Sequence, residues 1–186
     1  VTLATGIVER VGIGKSFIQQ AGLGRAPIQI DHDCANHKDA LKLIIDTLLD
    51  PKVGVLDDLK KISAVGHRVV HGGEKFKKSV IIDAASLETF KALYSLAPLH
   101  NPPNVLGIEA AMDVLPSIPH MAIMDTAWHQ TMPAHVYMYA LPYEWYEKYS
   151  VRRYGFHGTS FLYVAKRAAL LLGKDPFKTN LICLHI

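Results

Sequence analysis

The sequence predicts an α/β fold with a mainly parallel sheet, because segments with helical spacing of apolar residues alternate with short apolar strands. The clearest helix covers residues 36–49 and ends at Asp50-Pro51. Its apolar residues recur at intervals of three and four, namely Leu41, Ile44, Ile45, Leu48 and Leu49. Short apolar strands are predicted at residues 62–70, before Gly72-Gly73, and at residues 120–124.

The rest of the chain continues this alternation. A helix is predicted at residues 84–97, capped by Asp83 or Ser86, with Leu87, Phe90 and Tyr94 facing inward. Two more helices are predicted at residues 103–115 and, after Gly158-Thr159, at residues 160–172. Residues 180–186 are mostly apolar and predict a last, buried strand.

Composition narrows the possible functions. The chain has 186 residues, 49% hydrophobic and 20% charged, which is typical of a soluble globular protein with a substantial core. Twenty basic against 17 acidic residues leave a net charge of +3, and the basic residues are scattered, so a nucleic-acid partner is not expected. No apolar run reaches the roughly 18 residues of a membrane span, so no membrane partner is expected either.

The cysteines and chain ends add two expectations. Cys34 and Cys183 form no CxxC pair, so they are predicted to be thiols in a reducing cytoplasm. The sequence opens at Val1 rather than Met and stops inside an apolar run, so we expect it to be the first part of a longer protein.

The first loop of chemical interest follows the strand at residues 62–70. Side chains alternate along a strand, so Arg68 and Val70 share one face, and a fixed cation stands beside an apolar wall. That pairing suits a short anion with a small hydrocarbon end. A structural ion pair for Arg68 is the alternative, and His67 with His71 is a weaker candidate for metal ligation.

The second loop, residues 96–104, joins two predicted helices. It contains three prolines, which stiffen the backbone and hold Leu99, His100 and Asn101 in place. Because proline is also favourable in a first helical turn, the loop is alternatively a rigid connector.

The third site combines Asp125 with residues 153–160. Asp125 follows a buried strand, where an unpaired carboxylate would be costly, so it needs a cation, a metal-bound water or a cap such as the turn at Thr126. Phe156 and His157 lie between two glycines at a helix start. A helix amino end and an imidazole both donate hydrogen bonds, so this segment is predicted to bind an anion.

Four motifs together resemble the acetate kinase family in order and approximate spacing. They are GHRVVHGGEKF (66–76), LAPLHNPPN (96–104), MDTAWHQTMP (124–133) and RYGFHGTS (153–160). The resemblance implies an incomplete actin-like, ribonuclease H-like α/β fold of the superfamily of acetate and sugar kinases, heat-shock ATPases and actin. Residues 1–186 would then be the amino-terminal, acyl-substrate side of a two-domain kinase whose carboxyl-terminal domain is absent.

The resemblance also implies a reaction and its participants. The family transfers the terminal phosphoryl group of ATP to acetate, giving ADP and acetyl phosphate, with Mg²⁺ or, alternatively, Mn²⁺. A cytoplasmic homodimer is expected for the complete protein, and little or no activity for this chain alone, since a single domain cannot close the cleft.

The matching positions imply the following roles. Asp125 and His157 would be catalytic, Arg68 would hold the acetate oxygens, His100 would support them, and the methyl pocket would be formed by Val70, Leu99 and Phe156. His185 and Ile186 would begin a phosphate-binding loop for the nucleotide. The metal ligands are not identified.

The sequence departs from the family pattern at two positions. Phe161 stands where the family usually has His, which could alter support for His157, and Trp128 replaces a Phe.

Acetate is already ionised at neutral pH, so Asp125 is not needed as a base and is expected to orient a metal-bound water or to hold Arg68 or His157. A propionate kinase, a butyrate kinase and a non-catalytic actin-like module are the alternatives.

Overall fold

The structure is a computed structural model that describes residues 1–185. It contains six strands, six α-helices and three short 3-10 helices. In chain order the strands are β1 (Ala4–Glu9), β2 (Phe17–Gly22), β3 (Ile28–Asp31), β4 (Val65–Val69), β5 (Val80–Ile81) and β6 (His120–Met124). The helices are α1 (His37–Leu49), α2 (Ala84–Ala92), α3 (Asn101–Val114), α4 (Ala134–Tyr137), α5 (Tyr143–Tyr149) and α6 (Gly158–Leu171), and the 3-10 helices cover Leu59–Lys61, Tyr94–Leu96 and Ala127–Thr131.

The chain divides into two compact units, residues 1–65 with 105–120 and residues 66–104 with 121–186. In the first unit β1, β2 and β3 form an antiparallel meander in which Glu9 pairs with Phe17 and Phe17 with Asp31. Helix α1 is capped by Asn36, whose side chain accepts hydrogen bonds from the amides of Lys38 and Asp39. The core of this unit includes Ile18, Ile45, Val105, Ile108 and Leu115.

The second sheet has the order β4-β6-β5. The Val65 amide donates to the Pro119 carbonyl and the Asp125 amide to the Val69 carbonyl, so residue numbers rise together and β4 runs parallel to β6. Strand β5 pairs antiparallel with β6. Parallel pairing brings the carboxyl ends of β4 and β6 to the same edge, and Arg68 and Asp125 therefore lie close together.

A stacked aromatic pair packs α2 against the segment between β4 and β5. Phe90 on α2 is fully buried and stacks on Phe76, with ring centroids 4.3 Å apart. Helix α2 begins with a capping box between Asp83 and Ser86, so both residues proposed as caps take part. The predicted helix at residues 84–97 breaks after Ala92 into the 3-10 turn Tyr94–Leu96.

Two predictions about the sheet are wrong. The sheets are not mainly parallel, because the first is antiparallel throughout and β5 is antiparallel in the second. Residues 180–185 form no strand, and several of their apolar side chains are exposed, for example Ile182 at 94%. An apolar run becomes a strand only where a neighbouring strand satisfies its backbone groups, and the described residues supply none there. Ile186 lies outside the described residues.

The other boundaries differ by a few residues. The strand predicted at residues 62–70 is observed at Val65–Val69, and the one at residues 120–124 is observed as predicted. Helix α3 begins two residues earlier than predicted, with Pro102 and Pro103 in its first turn, and α6 begins at Gly158. Among residues 1–185, no helix has the length and apolarity that a membrane crossing requires.

Candidate functional site

An ion pair between Arg68 and Asp125 forms the centre of the candidate site. Arg68 Nη2 donates to Asp125 Oδ2 at 2.8 Å, and Nε lies 3.1 Å from Oδ1 and 3.2 Å from Oδ2. The Asp125 side chain is 2% exposed and the Arg68 side chain 67% exposed. The carboxylate raises the pKa of Arg68 through this hydrogen bond and its charge, so the guanidinium stays charged. Asp125 therefore pairs with a cation and does not cap the following turn.

A cavity of about 450 Å³ opens beside this pair. Its lining combines the pair with residues of all three predicted sites: Arg68, Val70, Leu96, Ala97, Pro98, Leu99, His100, Asp125, Phe156 and His157. Its volume lies in the range of small-molecule sites. The prediction that Arg68 and Val70 share one face is confirmed, since both line this cavity while Val69 and His71 are buried.

The apolar wall is partly open. Leu99 is 82% exposed and Phe156 43% exposed, although both line the cavity. His100 follows Leu99 and is also exposed. The structure thus brings together every residue predicted for the acid subsite, with a charged end at Arg68 and an apolar end at Val70, Leu99 and Phe156.

His157 stands at the first turn of α6. Its backbone is left-handed, with φ of 54°, and its imidazole makes no capping hydrogen bond. The next amide, of Gly158, donates to the Asp125 carbonyl at 2.9 Å. A side chain at Gly158 would collide with that carbonyl and with Trp128, so glycine is required by the close approach. The turn that carries His157 is therefore fastened to the residue that holds Arg68.

A second cavity, of about 550 Å³, shares Arg68, Asp125 and His157 with the first and extends along α6. Its other lining residues are Thr159, Ser160, Tyr163 and His185. His185 lies against His157, with ring centroids 4.5 Å apart, and its Nδ1 is 3.0 Å from Ser160 Oγ. The second cavity thus combines two imidazoles with the amino end of a helix of 14 residues.

The structure adds two asparagines that the sequence analysis did not assign a role. Asn101 is fully buried; its Oδ1 accepts from the His71 amide at 3.1 Å and its Nδ2 donates to the His71 carbonyl at 2.9 Å. Asn104 Oδ1 accepts from the Val70 amide at 3.0 Å. The only hint in the sequence is their position in a proline-stiffened loop.

His71 is a structural residue rather than a metal ligand. It is 2% exposed, its Nδ1 accepts from the Gly73 amide at 2.9 Å, and its ring lies edge-on to Tyr154. Burial lowers the pKa of His71 to about 4, so the ring is neutral at pH 7 with its proton on Nε2. Among residues 1–185 there is no group of three or more His, Cys, Asp or Glu residues that could hold a metal ion.

His129 packs between the backbone of Asp125 and Gly155, which lies in the segment that leads into α6. A side chain at Gly155 would overlap its ring, and Phe161 meets the ring edge-on at 5.6 Å. Burial lowers the pKa of His129, partly offset by the Asp125 backbone carbonyl. Phe161, one of the two departures from the family pattern, thus contacts His129 and His185.

Arg152 forms a second buried charge cluster behind this loop. It is 7% exposed, pairs with Glu74 and lies over the Tyr137 ring at 3.6 Å. Tyr146 also donates to Glu74, at 3.2 Å. The cluster joins the turn after β4 to the segment that leads into Phe156 without lining the cavity.

Comparison with known proteins places these residues in a family. A model of the acetokinase family matches residues 1–186. The acetate kinase of Geobacter metallireducens is 62% identical over 184 residues, which are 99% of this chain and 44% of that protein. The acetate kinase of Thermotoga maritima is 53% identical over 185 residues, 99% of this chain and 45% of the relative. The chain thus spans less than half the length of these relatives and matches their amino-terminal part.

Solved structures agree on the fold. The Porphyromonas gingivalis acetate kinase superposes with a TM-score of 0.90 and 45% identity over 95% of this chain and 44% of its own. A propionate kinase from Francisella tularensis superposes with a TM-score of 0.85 and 41% identity over 93% of this chain and 43% of its own. The prediction of an incomplete, actin-like α/β fold is confirmed.

Replacing His71 by Asn tests the buried imidazole. The folded-state pKa of about 4 lies below the ordinary 6.5, so the unfolded chain binds a proton first as pH falls and stability is lost between those values. His71→Asn keeps an acceptor for the Gly73 amide without a titrating ring. Between pH 7 and pH 4.5, we expect the free energy of unfolding of the wild type to fall by about 2 to 3 kcal/mol more than that of the variant. Urea unfolding of the full-length protein measures both.

The matched control is His135→Asn at an exposed site. Its loss over the same pH interval should equal that of the wild type. An equal pH dependence in His71→Asn and wild type would contradict the buried, neutral state of His71.

Replacing Gly155 by Ala tests the contact with His129. The added methyl would overlap the ring, so we expect a loss of about 1 to 3 kcal/mol in the free energy of unfolding. Gly107→Ala is the control, because it lies within α3 with nothing near its Cβ, and should stabilise by up to about 1 kcal/mol. Urea unfolding measures both variants. In a His129→Ala background Gly155→Ala should become nearly neutral; an unchanged loss there would show that His129 is not the obstacle.

Proposed function

This chain belongs to the acetokinase family, and we propose that it forms the acyl-substrate side of a kinase that transfers the terminal phosphoryl group of ATP reversibly to acetate. The observation that carries the proposal is the single cavity in which the Arg68 guanidinium and the His157 imidazole flank the apolar wall of Val70, Leu99 and Phe156. The name of the relatives, acetate kinase, supports the same reaction.

Arg68 would bind the carboxylate of the acid. Nε and Nη2 are committed to Asp125, and the side chain is still two-thirds exposed toward solvent, so the guanidinium has room for a second anion. Asp125 holds the guanidinium in one orientation and thereby acts as a positioning residue. Val70, Leu99 and Phe156 would contact the methyl group, and His100 would lie at the cavity rim.

The reaction asks this chain mainly for positioning and charge stabilisation. A carboxylate oxygen forms the new bond to phosphorus while the bond from phosphorus to the departing diphosphate oxygen breaks, and no proton has to move because acetate is already ionised. Arg68 would offset negative charge on the acid. The His157 imidazole would donate a hydrogen bond to an equatorial oxygen of the phosphoryl group in transit.

The second cavity would receive the phosphate chain of ATP or ADP. Its lining supplies His157, His185 and the amino end of α6, all of which suit phosphate oxygens. His185 would begin the phosphate-binding loop, and Ile186, proposed for the same role, lies outside the described residues. A bound nucleotide would supply the phosphoryl group, and the residues of this chain orient it.

The described residues do not form a divalent-metal site of their own. Both oxygens of Asp125, the carboxylate in the shared lining of the two cavities, are engaged by Arg68, and no other acidic side chain lines them. Mg²⁺, or Mn²⁺, would bind together with ATP, through the oxygens of its phosphates.

A propionate kinase is the second candidate, because the solved propionate kinase of Francisella tularensis shares 41% identity with this chain. One methylene in an apolar pocket changes the preference by only about 1 to 3 kcal/mol. A side chain of modest size at Val70 favours acetate. Comparing kcat/KM for acetate, propionate and butyrate in the full-length protein decides between the acids.

We also propose a cytoplasmic homodimer for the full-length protein, with acetate and acetyl phosphate as its small-molecule partners. Free thiols at Cys34 and Cys183 suit a reducing compartment. Several aromatic side chains around α5 are exposed and available for an interface, among them Tyr143, Trp145 and Tyr149.

The function is tested by assaying the purified full-length protein. We expect formation of acetyl phosphate and ADP from acetate and ATP, followed by trapping with hydroxylamine, and the reverse reaction in a coupled ATP assay. Arg68→Met should lower kcat/KM for acetate by about 100-fold or more, whereas Arg153→Met, at an exposed position outside both cavities, should not. A wild-type protein without turnover on any short acid refutes the proposal.

Replacing Asp125 by Asn separates the positioning role from a metal role. The amide keeps the shape but removes the charge that orients Arg68, so we expect kcat/KM to fall by about 100-fold with little recovery at high Mg²⁺. Asp113→Asn is the control, because Asp113 forms only an exposed ion pair with Lys38. This substitution should leave kcat/KM nearly unchanged. Substantial rescue by added Mg²⁺ would assign Asp125 to the metal instead.

A further inference from the structure

We propose that Asn104, supported by Asn101, is a specificity-determining positioning residue: it fixes the position of Val70 relative to Leu99 in the lining of the acid cavity and so sets the chain length of the acid. The inference rests on the proposed function, because it concerns the same cavity. Neither asparagine lines that cavity, so each would act through other residues.

The two side chains continue the β4 ladder after the strand has ended. The last ladder bond joins the Asp125 amide to the Val69 carbonyl. At the next residue, the Val70 amide donates to Asn104 Oδ1 at 3.0 Å. At the one after, the His71 amide and carbonyl both bond to the Asn101 side chain, at 3.1 Å and 2.9 Å. Side-chain amides thus replace the missing strand beside Val70 and His71.

Both asparagines belong to the segment that carries Leu99 and His100, which also line the cavity. Leu99 and His100 immediately precede Asn101, and the Asn101 amide donates to the Ala97 carbonyl at 2.9 Å. The Asn104 amide donates to the His100 carbonyl at 3.0 Å. Backbone hydrogen bonds therefore connect the segment that carries Leu99 to the two asparagines, of which Asn104 holds Val70.

The two prolines between the asparagines make this connection stiff. Pro102 and Pro103 each have a fixed φ and occupy the first turn of α3, so Asn101 and Asn104 keep a constant separation along that turn. Asn101 is fully buried, which leaves its side chain without alternative partners in water. Consequently the spacing between Val70 and Leu99 is set by this pair.

The charged end of the cavity is held by different contacts. Arg68 is oriented by Asp125, and the His157 turn by the bond from the Gly158 amide to the Asp125 carbonyl. Loosening the Asn104 bond should therefore move the Val70 wall while leaving the reacting groups in place. The expected consequence is a change in selectivity among acids and in KM, with kcat for acetate nearly conserved.

The test uses three variants of the full-length protein and three acids. Asn104→Leu keeps the number and branching of the side-chain heavy atoms but has no acceptor, and Asn104→Asp keeps the acceptor oxygen. A negative charge at residue 104 would weaken the binding of every carboxylate substrate to a similar extent. The readout is therefore the ratio of kcat/KM for propionate to that for acetate. Asn36→Ala, which removes the amino cap of α1 in the other unit, controls for general loss of stability.

We expect Asn104→Leu to raise the propionate-to-acetate ratio by about fivefold or more, because a relaxed wall admits one more methylene. Its KM for acetate should rise, and its kcat should stay within about threefold, because the interactions lost are those of ground-state binding. The ratio for Asn104→Asp and Asn36→Ala should stay within about twofold of wild type.

Hydrogen exchange of the Val70 amide gives an independent readout. It should be faster by about tenfold or more in Asn104→Leu and unchanged in Asn104→Asp. If Asn104→Leu does not fold, Asn104→Ala takes its place in both measurements. An unchanged ratio in the acceptor-free variant, or an equal shift in Asn36→Ala, overturns the inference. A wild-type protein that phosphorylates no short acid instead refutes the proposed function, and the inference falls with it.

Discussion

The candidate site depends on the need of a buried carboxylate for a cation. Asp125 directly follows strand β6 with its side chain 2% exposed, and an unpaired charge there would cost several kcal/mol. Arg68, on the neighbouring parallel strand, meets this need with two donors. The same pair orients a guanidinium that is still open to the cavity. The Arg68–Asp125 ion pair thus both stabilises the end of the strand and prepares a site for an anion.

The other parts of the site are tied to that pair through backbone groups. The Asp125 carbonyl accepts the Gly158 amide and fixes the His157 turn, while His129 fills the space under Gly155. Behind the cavity lining, Asn101 and Asn104 bind the two residues that follow β4. Loops without regular structure of their own therefore hold side chains in defined positions, as phosphoryl transfer requires.

The sequence predicted those elements whose local signals are strong. Helix α1 has an Asn cap, a regular apolar stripe and a proline after it, and α2 has a capping box. Strands β1 to β3 were missed because their pattern is weak: β1 is largely exposed, and β2 contains Gln19 and Gln20. The apolar run at residues 180–185 predicted a strand wrongly, because strand formation depends on a partner that no local pattern encodes.

For the site, the sequence by itself determined which side chains follow the strand ends: a cation beside an apolar residue at Arg68 and Val70, a carboxylate at Asp125, and an imidazole between glycines at His157. Only the tertiary structure decided that Asp125 is the partner of Arg68, 57 positions away, and that two asparagines hold Val70 and His71. The physical reason is that alternation and capping act over a few residues, whereas the pairing of distant groups follows from strand order and burial.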